Sequence, residues 1–181
     1  EKLQNEEIKK DRNIQVLLLV PTRELAIQID EVFRAFTENL KREVRTMAVY
    51  GGVSINPQMK GMFGVEVLIA TPGRLLDLIE HNALSISNIQ HLVIDEADKM
   101  FQLGFGEEMD KLFALMPAAK QTTLFSATLN DKVSEMKERL SINPVMIEIK
   151  KEEVEIENIE QLAFHVSPEN KGPFLRYLIK E

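Results

Sequence analysis

Two adjacent carboxylates, Asp95 and Glu96, with Asp98 two places on, close the apolar run His91-Leu92-Val93-Ile94. One carboxylate of such a pair can hold a magnesium ion through water, and its neighbour can orient or deprotonate an attacking water. The apolar run reads as a short buried strand. Acids at its end then lie at the carboxyl edge of a sheet, where open α/β sheets bind ligands. Taken alone, the same residues also read as a polar strand end leading into an N-capped helix.

Three further segments have the residue types that hold phosphate. Pro21-Thr22-Arg23-Glu24 opens a long helical pattern directly after an apolar run, and a helix start offers free N–H groups and a positive dipole end. Gly51 and Gly52 follow a second apolar run and let backbone approach a ligand closely. Thr71-Pro72-Gly73-Arg74 follows a third and opens another helix, with N–H donors at Gly73 and a guanidinium at Arg74. Each has a plain alternative: Thr22 as an N-cap beside a surface arginine, the glycines as a tight turn. Ser126 and Thr128 likewise suit a strand end and a helix cap. His81, His91 and His165 have no metal-ligand spacing, and no Ser-His-Asp or Cys-His set can be drawn.

The elements that must position these residues follow from the hydrophobic pattern. Apolar runs occupy residues 14–20, 46–50, 65–70, 91–94, 122–125 and 145–149. Several are near-continuous in Val, Ile and Leu, as in strands covered on both faces of a parallel sheet. Between them Leu25, Ile29, Phe33, Phe36 and Leu40 recur at helical spacing, as do Leu75, Leu78 and Ile79. Phe105, Met109, Leu112, Phe113 and Met116 mark another helix stopped by Pro117, and Val133, Met136 and Leu140 one more ending before Pro144. The Met and Phe positions are core stripes. Alternating β and α elements predict an α/β fold, doubly wound around a parallel sheet with helices on both faces. Residues 150–160 are dominated by charge and read as a linker. Residues 161–166 and 174–179 then read as a new strand and helix, the beginning of a second domain over 161–181. Residues 1–12 read as a solvated tail or helix.

Composition narrows the class. The 181 residues are 44% hydrophobic, enough for one sizeable core. There is no cysteine, so disulfides and thiolate metal sites are excluded, which fits a cytoplasmic protein. No apolar run is long enough to span a bilayer and no signal peptide is visible, so no membrane partner is expected. Net charge is −7, yet residues 1–74 carry 11 Lys+Arg against 10 Asp+Glu, so the deficit falls in the second half. Nucleic-acid affinity follows local phosphate neutralisation, and the candidate phosphate loops lie in the near-neutral half.

Together, Pro21-Thr22-Arg23-Glu24-Leu25-Ala26, Gly51-Gly52, Thr71-Pro72-Gly73-Arg74, Asp95-Glu96-Ala97-Asp98 and Ser126-Ala127-Thr128 resemble, in this order, the first RecA-like domain of a DEAD-box ATP-dependent RNA helicase. The resemblance runs from about residue 16 to residue 149. The stretch Gly51-Gly52-Val53-Ser54-Ile55-Asn56-Pro57-Gln58-Met59 further resembles the bacterial RhlE-like branch.

The resemblance implies roles for these residues. Asp95 helps to hold a hydrated Mg2+ on the outer phosphates of ATP, and Glu96 positions the water that attacks the γ-phosphate. Asp98 pairs with the hydroxyls of Ser126 and Thr128, so that nucleotide state is felt by the loop after the next strand. Pro21, Thr22, Arg23, Gly51, Gly52, Thr71, Pro72, Gly73 and Arg74 contact the RNA sugar-phosphate backbone. Such contacts carry no base sequence. The implied activity is ATP-driven RNA unwinding or RNA-protein remodelling. No G-x-x-x-x-G-K-[ST] loop lies in the chain, and it opens on Glu1 rather than Met. Residues 1–149 are therefore expected to be an N-terminally truncated helicase ATP-binding domain, a fragment that hydrolyses ATP poorly alone. The alternative is a non-catalytic RNA- or partner-binding module on the same scaffold.

Overall fold

Five of the six apolar runs become the strands of one sheet in the computed structural model, which describes residues 14–140, 144–149 and 162–180. They are β1 (Val16–Leu19), β2 (Thr46–Val49), β3 (Val67–Ala70), β4 (His91–Ile94) and β5 (Gln121–Leu124). The order across the sheet is β2-β3-β1-β4-β5, and every pairing is parallel. Parallel neighbours need crossover connections, and helices supply them: α1 (Arg23–Thr37), α2 (Ile55–Gly61), α3 (Pro72–Glu80), α4 (Ala97–Gln102), α5 (Gly106–Leu115) and α6 (Asp131–Leu140).

The continuous apolar character of the strands serves two cores at once. Leu17, Leu19, Leu68, Ala70, Leu92 and Ile94 point into a large cluster that also holds Leu75 and Leu78 of α3, Met109 and Leu112 of α5, and Val133 and Met136 of α6. The alternate residues Leu18, Val67 and Ile69 point the other way, against Ala26, Leu25, Ile29 and Phe33 of α1. Each fully buried Leu or Ile contributes roughly 1.5–3 kcal/mol. The central β1 and β3 have the most to lose from a polar substitution.

Two expectations are corrected. Residues 145–149 form no strand among the described residues, and Val145, Ile147 and Ile149 are 90%, 87% and 89% exposed. A strand needs a neighbouring edge, and these residues pair with none. Phe36 is 78% exposed and drops out of the core stripe, which keeps Leu25, Ile29, Phe33 and, just past the end of α1, Leu40.

Contacts divide the chain into two compact units, with the break after Pro144. In the second, residues 162–167 are unpaired rather than the predicted strand. The helix α7 (Lys171–Lys180) follows a short 3-10 turn, Pro168–Asn170. Phe174 there meets Phe164 edge-on at 5.0 Å and stacks near Tyr177 at 6.4 Å. The expected tail at 1–12 and linker at 150–160 lie outside the described residues. No described helix is long and apolar enough to cross a membrane.

Candidate functional site

Because all five strands run the same way, their carboxyl ends share one rim. The loops that leave it begin at Val20, Tyr50, Thr71, Asp95 and Phe125. Every candidate residue named from the sequence lies on that rim or within a few residues of it.

At the end of β4 the backbone turns sharply. Asp95 N–H still donates to the Leu19 carbonyl (3.0 Å), continuing the ladder with β1. Glu96 then adopts a left-handed conformation (φ 48°, ψ 52°). For a residue with a Cβ this costs roughly 1–2 kcal/mol. Its neighbours hold it there: Glu96 N–H donates to Asp95 Oδ1 (2.9 Å), and Ala97 N–H to the Phe125 carbonyl (3.0 Å). The turn exposes the Glu96 side chain and keeps Asp95 half-buried beside it. Strain of this kind concentrates where a side chain must face a ligand.

Asp98 is turned inward and buried. Thr128 Oγ1 donates to its Oδ2 at 2.8 Å. Ser126 reaches the same residue differently: its Oγ accepts from Asp98 N–H (3.3 Å) while its own proton goes to the Thr128 carbonyl (2.7 Å). Thr128 therefore pairs with the carboxylate and Ser126 with the backbone. The Thr128 hydroxyl is the largest influence holding the Asp98 carboxyl below the usual aspartate value. Burial opposes it, and Ser126 and nearby backbone N–H groups assist. The loop after β5 is thus fastened to the acidic turn after β4.

The three phosphate-type loops differ in how open they are. Thr22 caps α1, its Oγ1 accepting from Leu25 N–H (3.3 Å), and buried Pro21 precedes it. The N–H groups of Arg23 and Glu24 belong to the first turn, which has no intrahelical acceptors. The Arg23 guanidinium carbon lies 5.1 Å from the centre of the Tyr50 ring. Gly51 and Gly52 are exposed, with open space where a Cβ would be, and Gly52 needs its positive φ of 79°. Gly73 also has open space around it. Thr71 is the extended residue before α3 and makes no side-chain cap, while Pro72 occupies the first turn, where its missing N–H costs nothing.

Arg74 is placed differently from its expected role. It is buried, with Nη2 donating to the Val53 carbonyl at 2.7 Å. Its Nε lies 3.5 Å from Asp77 Oδ2, an ion-pair distance without hydrogen-bond geometry, and Nη1 has no partner. Sequence reasoning missed this clasp, and it missed the Tyr50 ring beside Arg23. The signal for Tyr50 was its place beside Gly51. For Arg74, nothing in the spacing says which way a helix-start arginine turns.

Among the described residues no three His, Cys, Asp or Glu side chains converge as a cation cage. Asp95 and Glu96 instead fit the way Mg2+ is usually bound, by one or two carboxylates with water and phosphate oxygens completing its shell.

Comparison with known proteins agrees with this geometry. The sequence model of the DEAD/DEAH box helicase family matches residues 1–136. The chain is 37% identical over 172 residues to the "ATP-dependent RNA helicase CshA" of Listeria monocytogenes, covering 94% of this chain and 33% of that protein. It is 34% identical over 171 residues to the "DEAD-box ATP-dependent RNA helicase CshA" of Geobacillus kaustophilus, covering 94% and 36%. It is 37% identical over 176 residues to the "ATP-dependent RNA helicase DeaD" of Buchnera aphidicola, covering 96% and 29%. The chain spans about a third of the length of these curated relatives. With a parallel sheet whose rim carries the acidic turn and the three phosphate-type loops, and with this match over most of its length, the chain belongs to the DEAD/DEAH box helicase family.

Proposed function

We propose that this chain forms part of an ATP-dependent RNA helicase that couples ATP hydrolysis to duplex unwinding or RNA-protein remodelling. The observation that carries the reading is the link from Asp98 to Thr128 at 2.8 Å, beside the exposed acid Glu96. It ties the place where a phosphate would be cleaved to a neighbouring loop. Asp95 would hold a hydrated Mg2+, which neutralises charge on the phosphates when bound. Glu96 orients the attacking water and takes up its proton. Positioning and charge neutralisation are the main needs of phosphoryl transfer.

In this reading Pro21, Thr22, Arg23, Gly51, Gly52, Thr71, Pro72 and Gly73 track one RNA strand by its sugar-phosphate backbone. Arg74 serves that path from behind, through the Val53 carbonyl. Residues 1–149 act as the ATP-binding domain and 161–181 as the start of the next, joined by 150–160, in a cytoplasmic protein. The RhlE-like affinity rests on residues 51–59 alone, whereas the relatives described above are named CshA and DeaD.

The test is ATP turnover by the full reading frame that contains this chain, with no nucleic acid, with single-stranded RNA and with single-stranded DNA, for the wild type and Glu96→Gln. RNA-selective stimulation that Glu96→Gln abolishes is the expected result. RNA binding with no turnover under any condition would favour the non-catalytic module, and equal stimulation by DNA would overturn the RNA assignment.

A further inference from the structure

The described arginines of the first unit are almost all committed. Arg34 faces Asp30, Arg42 faces Glu66, Arg74 faces Asp77, and Arg139 faces Asp110, while Arg45 donates to the Phe63 carbonyl. Among the described residues Arg23 faces the Tyr50 ring, at 5.1 Å, and no carboxylate. A ring face attracts a guanidinium but takes none of its five N–H donors, so a stacked arginine keeps its hydrogen-bonding edge available.

Tyr50 is itself held. Its backbone carbonyl accepts from Nε2 of the buried Gln58 on α2 at 3.2 Å, and the preceding Val49 is fully buried at the end of β2. The ring is half-buried and stands beside Gly51 and Gly52, around which there is open space. The helix start that carries Arg23 is fixed by the Thr22 cap. Two anchored elements, the end of β2 and the first turn of α1, thus bring a ring and a guanidinium together at the mouth of an open glycine loop.

We propose that Tyr50 is a positioning residue for nucleic-acid binding: its ring holds the Arg23 guanidinium beside the Gly51-Gly52 loop, ready to take a backbone phosphate. The inference rests on the RNA-backbone reading given above and deepens it. A free arginine side chain loses rotamer freedom when it binds, and one already stacked loses less. The ligand chemistry is a phosphodiester of a single strand. Tyr50 contributes without touching it, which separates this role from that of an aromatic base-stacking platform.

The experiment is an NMR titration of the 181-residue chain with decauridylate, which resolves weak binding through shifts of the Gly51, Gly52 and Thr22 amides. Before any RNA is added, the Arg23 Nε–H resonance should show a ring-current shift that Tyr50→Leu removes and Tyr50→Phe keeps. Tyr50→Leu is expected to weaken binding about threefold, Tyr50→Phe hardly at all, and Arg23→Ala about tenfold. The double variant should bind no more weakly than Arg23→Ala alone. Arg23→Lys, which leaves Tyr50 intact, keeps the charge but not the planar stack and should also lose about threefold.

Additive losses in the double variant would overturn the proposal and assign Tyr50 to base stacking. An unchanged affinity in Tyr50→Leu would overturn it as well. If Arg23→Ala binds as wild type, or RNA leaves the Gly51 and Gly52 amides unmoved, the RNA-backbone reading itself fails and takes this inference with it.

Discussion

Arg74 Nη2 donates to the Val53 carbonyl at 2.7 Å, so the first turn of α3 is clasped to the loop that follows β2. Two segments twenty-one residues apart, both expected to touch the same RNA strand, are held in one register by a buried cation. The energetic case for the clasp is mixed. A charged donor on a carbonyl is favourable, yet Nε and Nη1 are buried without hydrogen bonds.

Arg74→Ala should therefore destabilise the chain by about 1.5–3 kcal/mol, the worth of a hydrogen bond from a charged donor. RNA affinity should fall alike for oligo-U, oligo-A and mixed sequence, because in the proposed reading the loops it aligns meet backbone and not bases. Urea denaturation and three parallel binding titrations measure both effects. A loss confined to one sequence would show that Arg74 reads a base.

Acid stability gives a second prediction. The folded pKa of Asp98 is lowered, chiefly by the Thr128 hydroxyl. As pH falls, the unfolded chain takes up this proton first. The stabilisation is full above the ordinary aspartate value of 3.8 and is lost as pH falls through the lower folded value. Thr128→Val removes the donor, so the Asp98 carboxyl should titrate at higher pH and the acid-unfolding midpoint should rise with it. Carbon-detected NMR of the Asp98 carboxyl follows the titration directly, and an unmoved titration would deny the hydroxyl its role.

Glu96 allows stability and activity to be pulled apart. Its left-handed backbone costs about 1–2 kcal/mol, while glycine's greater unfolded freedom costs about 0.5–1 kcal/mol. Glu96→Gly should leave thermal stability unchanged or up to about 1.5 kcal/mol higher, and in the full-length protein should abolish ATP turnover. In the full-length protein Glu96→Gln should abolish turnover with ATP binding preserved. A clearly less stable Glu96→Gly would mean that the turn carries no strain.

The paired glycines should respond differently to the same change. At Gly52, with φ 79°, alanine strains the backbone and should cost about 1 kcal/mol. At Gly51 no positive φ and no close neighbour stand in the way, so Gly51→Ala should melt as wild type. Both variants should bind RNA more weakly, because each puts a methyl group where the proposed RNA path runs. Equal melting temperatures for the two would refute the distinction.

The sheet was largely legible because a parallel strand buried on both faces leaves an apolar run that hardly any other element produces; His91–Ile94 was read to the residue. The failure at residues 145–149 has the same root. An apolar run states what could be a strand, whereas a strand exists only where an edge receives it. Rim positions were legible because a strand's end fixes where its loop begins. Side-chain direction was not. Arg23 and Arg74 each stand in the first turn of a helix, yet one lies out over Tyr50 and the other turns in to Val53. That difference depends on the loop after β2, which neither local spacing records. The left-handed turn at Glu96 was equally hidden, because it is enforced by the Phe125 carbonyl from another strand's end.

The strand order has a consequence for how the rim comes into being. β1 precedes the other four strands described here but pairs with nothing near it in the chain: Val16 meets Val67 on one side and His91 on the other. No hairpin is available to nucleate such a sheet, and parallel contacts of long separation are slow to form. As the chain leaves the ribosome, β1 must wait for β3 and β4, and the clasp between Asp98 and Thr128 waits longer still. The rim is thus completed only when β5 and its loop arrive, and a nascent chain stopped before β4 holds its apolar central strand with one flank bare.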